Sequence, residues 1–431
     1  MSEKIKKIIV ISLFVLVVVA LAFLLYLMFF KKPVTPPEEV IPEEVEKERE
    51  RVRLPVTKQM WEGMEIKDRL DQGLPALEWP EDDPEEIIEP VEKIVPQIDD
   101  VAQGGRTWVN PVLNEKVSFP TLAADGENNI YYDSDSGYFY STDIFGNKEL
   151  FSDQIFYNVE KINWSPVKDK AILEYPDGFK VMYDFEKNQQ YTLPKIWQDF
   201  SWNRTGTKIA FQSISAYPEN NWLAIASPDG SQSQPLEHVG ENADKVTVSW
   251  SPNNQVVAFS ATGDPRGTWE QEILLIGQNQ ENFKSLVIDG RGFEPQWSPQ
   301  GDKIAYSVYS AQTGYLPRLY IVDAQGNQIG QNKKNTGLAT WAHKCTFSQT
   351  GEELYCAVPR ELPEGAGLVL ELAENSRDDF YKIDVLTGTV SFLAEGAMGG
   401  YNVKDIYLSA EEDILYFVDE NTNRLRYINL K

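Results

Sequence analysis

The sequence predicts an all-β fold: a single seven-bladed β-propeller of four-stranded antiparallel blades over residues 105–431, behind a transmembrane helix and an acidic stalk. Three observations carry this expectation. A short unit recurs seven times between about residue 117 and the C-terminus, each time followed by strands of period two. The last copy is one strand short, and a segment ahead of the first copy can supply it. The first hundred residues have a composition that cannot bury a core of its own.

Residues 1–7 read as a cytoplasmic tip and residues 8–30 as the transmembrane helix. Ile8 to Phe30 is a run of 23 residues without a charge, apolar but for Ser12, long enough to cross a hydrocarbon core of about 30 Å. Lys4, Lys6 and Lys7 outweigh Lys31 and Lys32, which acidic residues soon follow. The N-terminus is therefore expected inside a plasma membrane crossed once, with the rest of the chain extracytoplasmic. Cleavage of a signal peptide after Ala20-Leu21-Ala22 is the rival, but it would leave the apolar run Phe23 to Phe30 exposed.

Residues 31–104 form the expected stalk. Between Pro33 and Asp100 there are 21 acidic and 8 basic residues, and 10 of the chain's 25 prolines. Like charges extend such a segment and proline breaks it into short pieces, so it is read as a largely disordered spacer. Glu43 to Arg53, and the face carrying Met60, Trp61, Met64 and Leu70, could form short helices, transient or docked on the globular domain.

The repeat is clearest at Gln296 to Ser307. Trp297-Ser298-Pro299-Gln300-Gly301 reads as a strand end and a tight turn, with Pro299 presetting φ and Gly301 free to take the left-handed conformation. Aligned on the Trp, the anchors are Leu122, Trp164, Trp202, Trp250, Trp297, Phe347 and Leu408, spaced by 42, 38, 48, 47, 50 and 61 residues. Seven and nine residues after the anchor the side chains are mostly large and apolar, as at Ile304 and Tyr306, with Ala210, Ala258 or Ala305 between them where a neighbouring sheet packs close. A third strand, a turn and a weaker fourth strand complete each unit. The last unit supplies only strands at 403–408, 413–418 and 424–429, so Arg106 to Val112 is expected to close it from the other end of the chain.

Trp164-Ser165-Pro166, Trp250-Ser251-Pro252 and Trp297-Ser298-Pro299-Gln300-Gly301, each leading into an Ile/Val-Ala-Phe/Tyr-like strand, resemble the TolB-type, WD-repeat-like propeller repeat. The resemblance covers about residues 117 to 431 and implies the fold, not an activity, because such propellers serve as envelope proteins, in hydrolases and as accessory domains of peptidases. An acidic stalk stands here where TolB itself has a small α/β domain, so a TolB role is not carried over.

A formal charge of −26 argues against nucleic acid as a partner. Only two histidines, His238 and His343, are present, and no Gly-x-Ser-x-Gly elbow, so neither a Ser-His-Asp hydrolase nor a zinc site is expected. Asp133-Ser134-Asp135-Ser136-Gly137 resembles a calcium loop, but its Gly comes one position early and no distal Glu closes it, which favours a polar hairpin turn. No metal, cofactor or catalytic residue is assigned. Cys345 and Cys356 flank a tight turn, where a disulfide suits an oxidising compartment and two buried thiols are the alternative.

The leading functional expectation is a binding scaffold for a protein, peptide or envelope polymer. A polysaccharide lyase or hydrolase using the central pocket, through a carboxylate pair, is the alternative, and a structural subunit of a surface assembly a third. Loop lengths choose the face. Turns between strands one and two are short, whereas Ser213 to Asn221, Ser260 to Glu270, Tyr309 to Pro317 and Val358 to Asp378 are long and share the opposite face. That face is expected to gather Trp269, Phe293, Tyr315 and Trp341 beside Arg266, Arg291 and Arg318, the rings stacking on a ligand and the arginines meeting its negative groups.

Overall fold

A computed structural model describes residues 98–431 apart from Pro265 and Met398. The expected tip, membrane helix and nearly all of the stalk lie outside the described residues. Among those described, no helix is long and apolar enough to cross a membrane.

Seven antiparallel blades follow one another along the chain, one per repeat; each is four-stranded, and the sheet of blade 6 gains a fifth strand from the N-terminal segment. All seven anchors close the first strand of a blade or sit just beyond it, from Leu122 at the end of Ser118–Leu122 to Leu408 at the end of Val403–Leu408. First strands of successive blades approach one another: Val403–Leu408 of blade 7 lies against both Cys345–Phe347 of blade 6 and Ser118–Leu122 of blade 1. They are the innermost strands, and the ring is complete.

One turn design recurs seven times. Four residues after the anchor the backbone is left-handed in every blade, at Gly126, Lys168, Gly206, Asn254, Gly301, Gly351 and Glu412, with φ between 50 and 80°. Each of these amides donates to the carbonyl of the residue after the anchor, as Gly301 does to Ser298 at 2.8 Å. This is the tight loop with a left-handed last residue that suits a twisted hairpin. In six blades a buried Ser or Asn after the anchor also accepts the amide that opens the return strand, for example Lys303 N–H on Ser298 Oγ at 3.1 Å and Lys208 N–H on Asn203 Oδ1 at 2.9 Å. The Ser of Trp-Ser-Pro is thus the internal brace of the turn. At Gly301 a Cβ would meet the Asn253 amide at 2.8 Å, because the turns of neighbouring blades touch. Asn253 Nδ2 donates to Gly301 O at 2.7 Å, Gln300 Nε2 to Gln349 O at 2.9 Å and Gln349 Nε2 to Ala410 O at 2.7 Å.

The anchors tie blades together. Trp164 Nε1 donates to Phe119 O at 2.9 Å, Trp202 Nε1 to Asn163 O at 3.2 Å and Trp297 Nε1 to Ser249 O at 3.3 Å, in each case one blade back. The residue before the anchor reaches the other way: Asn163 Nδ2 to Phe200 O, Ser201 Oγ accepting from Trp250 N–H, and Gln296 Nε2 to Cys345 O. Small residues let the sheets close on each other. Ala210 packs with Trp250, and Ala305 with Phe347 of the next blade.

Closure differs from the single strand expected of Arg106 to Val112. Two short strands share it: β1 (Gly105–Thr107) pairs parallel with Val390–Gly396, the outer strand of blade 6, and β2 (Asn110–Pro111) pairs antiparallel with Arg424–Asn429 to complete blade 7. Pairing starts earlier than the expected boundary at 105, since Asp99 bridges Thr107 and Val101 bridges Asn429. Pro111 falls where the amide faces the open edge, so it costs the ladder no bond, and Val112 N–H carries the pairing on to Leu425 O at 3.0 Å.

Candidate functional site

Chain direction places the turns between strands one and two on one face of the disc. The loops between strands two and three, together with the connections between blades, lie on the other. The second face carries the long loops, and these fall in blades 3 to 6, between Ile209–Ser213 and Trp222–Ala226, Val256–Ser260 and Glu270–Gly277, Lys303–Tyr309 and Arg318–Asp323, and Glu353–Pro359 and Asp378–Asp384.

The loops of blades 4 to 6 form a continuous strip. Trp269 meets Tyr315 edge-on, ring centroids 5.7 Å apart, joining blade 4 to blade 5. Gly365 N–H donates to Gly314 O at 3.0 Å and Gly367 N–H to Tyr315 O at 2.8 Å, laying the blade 6 loop on that of blade 5. Gly367 has no room for a side chain: a Cβ there would lie 2.7 Å from Tyr315 O.

The seven residues expected to gather on this face are not equivalent. Trp269 and Tyr315 come together, with Arg291 beside them through a bond from Nη2 to Thr268 O at 3.1 Å. Phe293 turns inward between Phe259 and Tyr306, at centroid distances of 5.4 and 5.5 Å. Trp341, 4% exposed, is the floor of the strip, packed with Ala366, Ala373, Leu316 and Leu362. A polar indole at a loop position signals exposure in sequence, but here the long blade 6 loop folds over it. The arginines are engaged inside the protein: Arg266 pairs with Glu272 at 3.2 Å and Arg318 donates to Gly337 O at 2.6 Å.

What sequence reasoning missed is the crest of the blade 6 loop. Leu368, Val369, Leu370 and Leu372 are 58, 43, 56 and 46% exposed, side by side. The crest is held firmly, with Leu368 and Val369 amides on Gly365 O and Ala366 and Ala373 buried beneath. Next to it a cleft of about 700 Å³ is lined by Leu362, Pro363 and Leu372 with Arg360, Asn375 and Arg377. The signal was present as Gly367-Leu368-Val369-Leu370-Glu371-Leu372, an apolar run with no strand partner. Another cleft, of about 720 Å³, lies at the outer rim between blades 3 and 4, away from this strip.

Toward the axis, inner strands bulge in blades 1, 3, 5 and 7, with Phe119, Asp199, Gly292 and Asp405 left-handed at the bulge. A bulge re-aims side chains, and Asp405 is exposed there. Glu294 Oε1 accepts both the His343 amide at 2.8 Å and a contact from Nδ1 at 2.7 Å. Burial alone would raise the Glu294 carboxyl, but His343 holds it below its ordinary value. Lys344 is buried on Asp378 and Asn402 at 2.8 and 2.9 Å, a fully satisfied pair that ties blade 6 to blade 7. His238 contacts Glu219 O at 3.1 Å in blade 3, remote from His343 in sequence and in a different blade. Cys345 and Cys356 are direct register partners across the first hairpin of blade 6 and form a disulfide. Asp133 to Gly137 is a hairpin turn in which Asp133 accepts the Asp135 amide at 3.0 Å and the Ser136 hydroxyl at 2.7 Å.

No family model matches the chain, and no curated protein matches it by sequence. Among solved structures it is similar to an oligogalacturonate lyase in complex with manganese, at 13% identity and a TM-score of 0.50, covering 75% of this chain and 90% of that one. It is likewise similar to an oligogalacturonate lyase from Vibrio parahaemolyticus, at 10% identity and a TM-score of 0.50, covering 75% and 91%. Together with the seven sheets, these likenesses establish a seven-bladed β-propeller.

Proposed function

We propose that the chain is a binding scaffold: a TolB-type propeller held on the outer side of a membrane by residues 8–30, which docks a protein on the long-loop face of blades 4 to 6. The exposed crest Leu368 to Leu372 carries this reading. Four adjacent apolar side chains on a buttressed base are what a docking surface needs, whereas scattered exposed leucines need no explanation. Engagement of Arg266, Arg291 and Arg318 within the protein lowers the appeal of an anionic polymer as the ligand. A membrane-impermeant amine crosslinker added to intact cells tests the whole reading. The propeller should be labelled and joined to a partner, and Leu368→Asp with Leu370→Asp should abolish the joined species while labelling persists. A propeller shielded from the reagent refutes the orientation, and a joined species untouched by the double change moves the docking site elsewhere.

A polysaccharide-active enzyme is the second reading, prompted by the names of the two similar structures. The Glu294–His343 pair is the acid–base couple it would use. Cleavage of polygalacturonate by the purified chain, lost in Glu294→Gln, would replace the scaffold reading.

A further inference from the structure

The crest lies in an acidic setting. Glu361, Glu364, Glu371 and Glu374 belong to the same loop, all exposed, and none forms an ion pair among the described residues. Of the two arginines in the loop, Arg360 is neutralised by Asp379 at 2.7 Å and Glu395 at 2.9 Å. That leaves Arg377 against four free carboxylates. Charges of one sign around an apolar patch set the sign of what docks there, because like charges cost free energy and opposite ones steer the approach.

We propose that the blade 6 crest binds a basic amphipathic segment of a partner protein, its apolar side chains on Leu368, Val369, Leu370 and Leu372 and its Lys or Arg side chains on Glu361, Glu364, Glu371 and Glu374. This rests on the scaffold reading above and names the partner's chemistry. The neighbouring cleft of about 700 Å³, with Leu362, Pro363 and Leu372 on its walls beside Glu361, the neutralised Arg360, and Arg377, has room for one large apolar anchor. Other occupants fit less well. An anionic bilayer surface or a uronate polymer meets the same four carboxylates, and a second copy of this chain carries a net charge of −26.

The test is selection from a random peptide library displayed on phage, panned against the full-length protein in detergent micelles. Selected peptides are then titrated against wild type, Leu368→Asp/Leu370→Asp, and Glu361→Lys/Glu371→Lys. All four positions are exposed, so unchanged melting temperatures are expected to certify the variants. Selected peptides should interleave Lys or Arg with large apolar residues, and each double variant should weaken them at least about tenfold. Added salt should weaken wild-type binding and leave the charge-reversed variant less affected. Acidic or uncharged selections, no enrichment over empty micelles, or affinity indifferent to Glu361→Lys/Glu371→Lys overturns the proposal, as does crest-dependent binding of phosphatidylglycerol vesicles in place of peptides. The two readings fail separately. Acidic selections with a crest-dependent cellular partner would remove the partner's chemistry and keep the docking site; basic selections with a crest-independent partner would do the reverse.

Discussion

Trp202 and Trp250 hold the same repeat position in adjacent blades and are buried alike, at 6 and 5% exposure. They differ in one atom's surroundings. The indole N–H of Trp202 donates to Asn163 O at 3.2 Å, whereas that of Trp250 is buried with no partner. Replacing each by Phe removes the same volume, so the cavity contribution is common to both. At Trp202 the change also deletes a net hydrogen bond of about 1 kcal/mol and strips a part-buried carbonyl of a donor. At Trp250 it removes an unsatisfied polar group whose burial itself costs about 1 kcal/mol or more. Trp202→Phe should therefore be less stable than Trp250→Phe by about 2 kcal/mol, in a range of roughly 1 to 3. Urea unfolding of the two variants reads this as a lower midpoint for Trp202→Phe at equal slope. Equal midpoints, or a lower one for Trp250→Phe, would show that the inter-blade indole bonds contribute no stability and that the anchors act as volume alone.

Two further outcomes follow from the turns and the closure. Lys168 combines a left-handed backbone, φ 62°, with partial burial that pulls its ammonium down to about 8. A folded-state value below the unfolded one near 10.5 penalises the fold below pH 8 and relieves it as pH rises toward 10.5. Lys168→Asn, which suits the left-handed region, should thus stabilise at pH 7 and less at pH 10; a gain equal at both would refute the burial argument. Deleting residues 1–112 removes β1 and β2 and bares the edges of Val390–Gly396 and Arg424–Asn429. Faster amide exchange over 414–429 and self-association are expected, and unaltered exchange would show that the ring holds without its clasp.

Much of the ring was legible because a propeller repeats its instructions. Each Trp-Ser-Pro or its relative marks an inner strand end, and Ala210, Ala258 and Ala305 announce close packing of sheets. The left-handed position was readable at Gly301, but at Lys168 and Glu412 the side chain disguises a backbone imposed by the turn. Bulges at Phe119 and Asp405 were invisible for the same reason: nothing local asks for them. Faces were legible from loop lengths, while contents of the site were not. Trp341 looked like a rim aromatic because burial by a folded loop has no period in sequence, and Phe293 because its packing partners, Phe259 and Tyr306, lie on other strands. The crest was hidden by an opposite error, since an apolar run reads as core until a structure shows that nothing covers it.

The two-part clasp has a consequence in time. β1 and β2 emerge from the ribosome before any blade, yet their partners, Val390–Gly396 and Arg424–Asn429, are among the last residues made. At about 5 to 20 residues per second, the clasp waits roughly 15 to 65 s for the strand at Arg424–Asn429. Through that interval the blades accumulate one by one as an open stack with an uncovered sheet face at each end. The waiting strand is poorly suited to pair with strangers: two residues long, ended by Pro111 and preceded by Gly104-Gly105. A clasp too weak to hold by itself is also too weak to close on the wrong chain, and it becomes strong only when both of its partners arrive together.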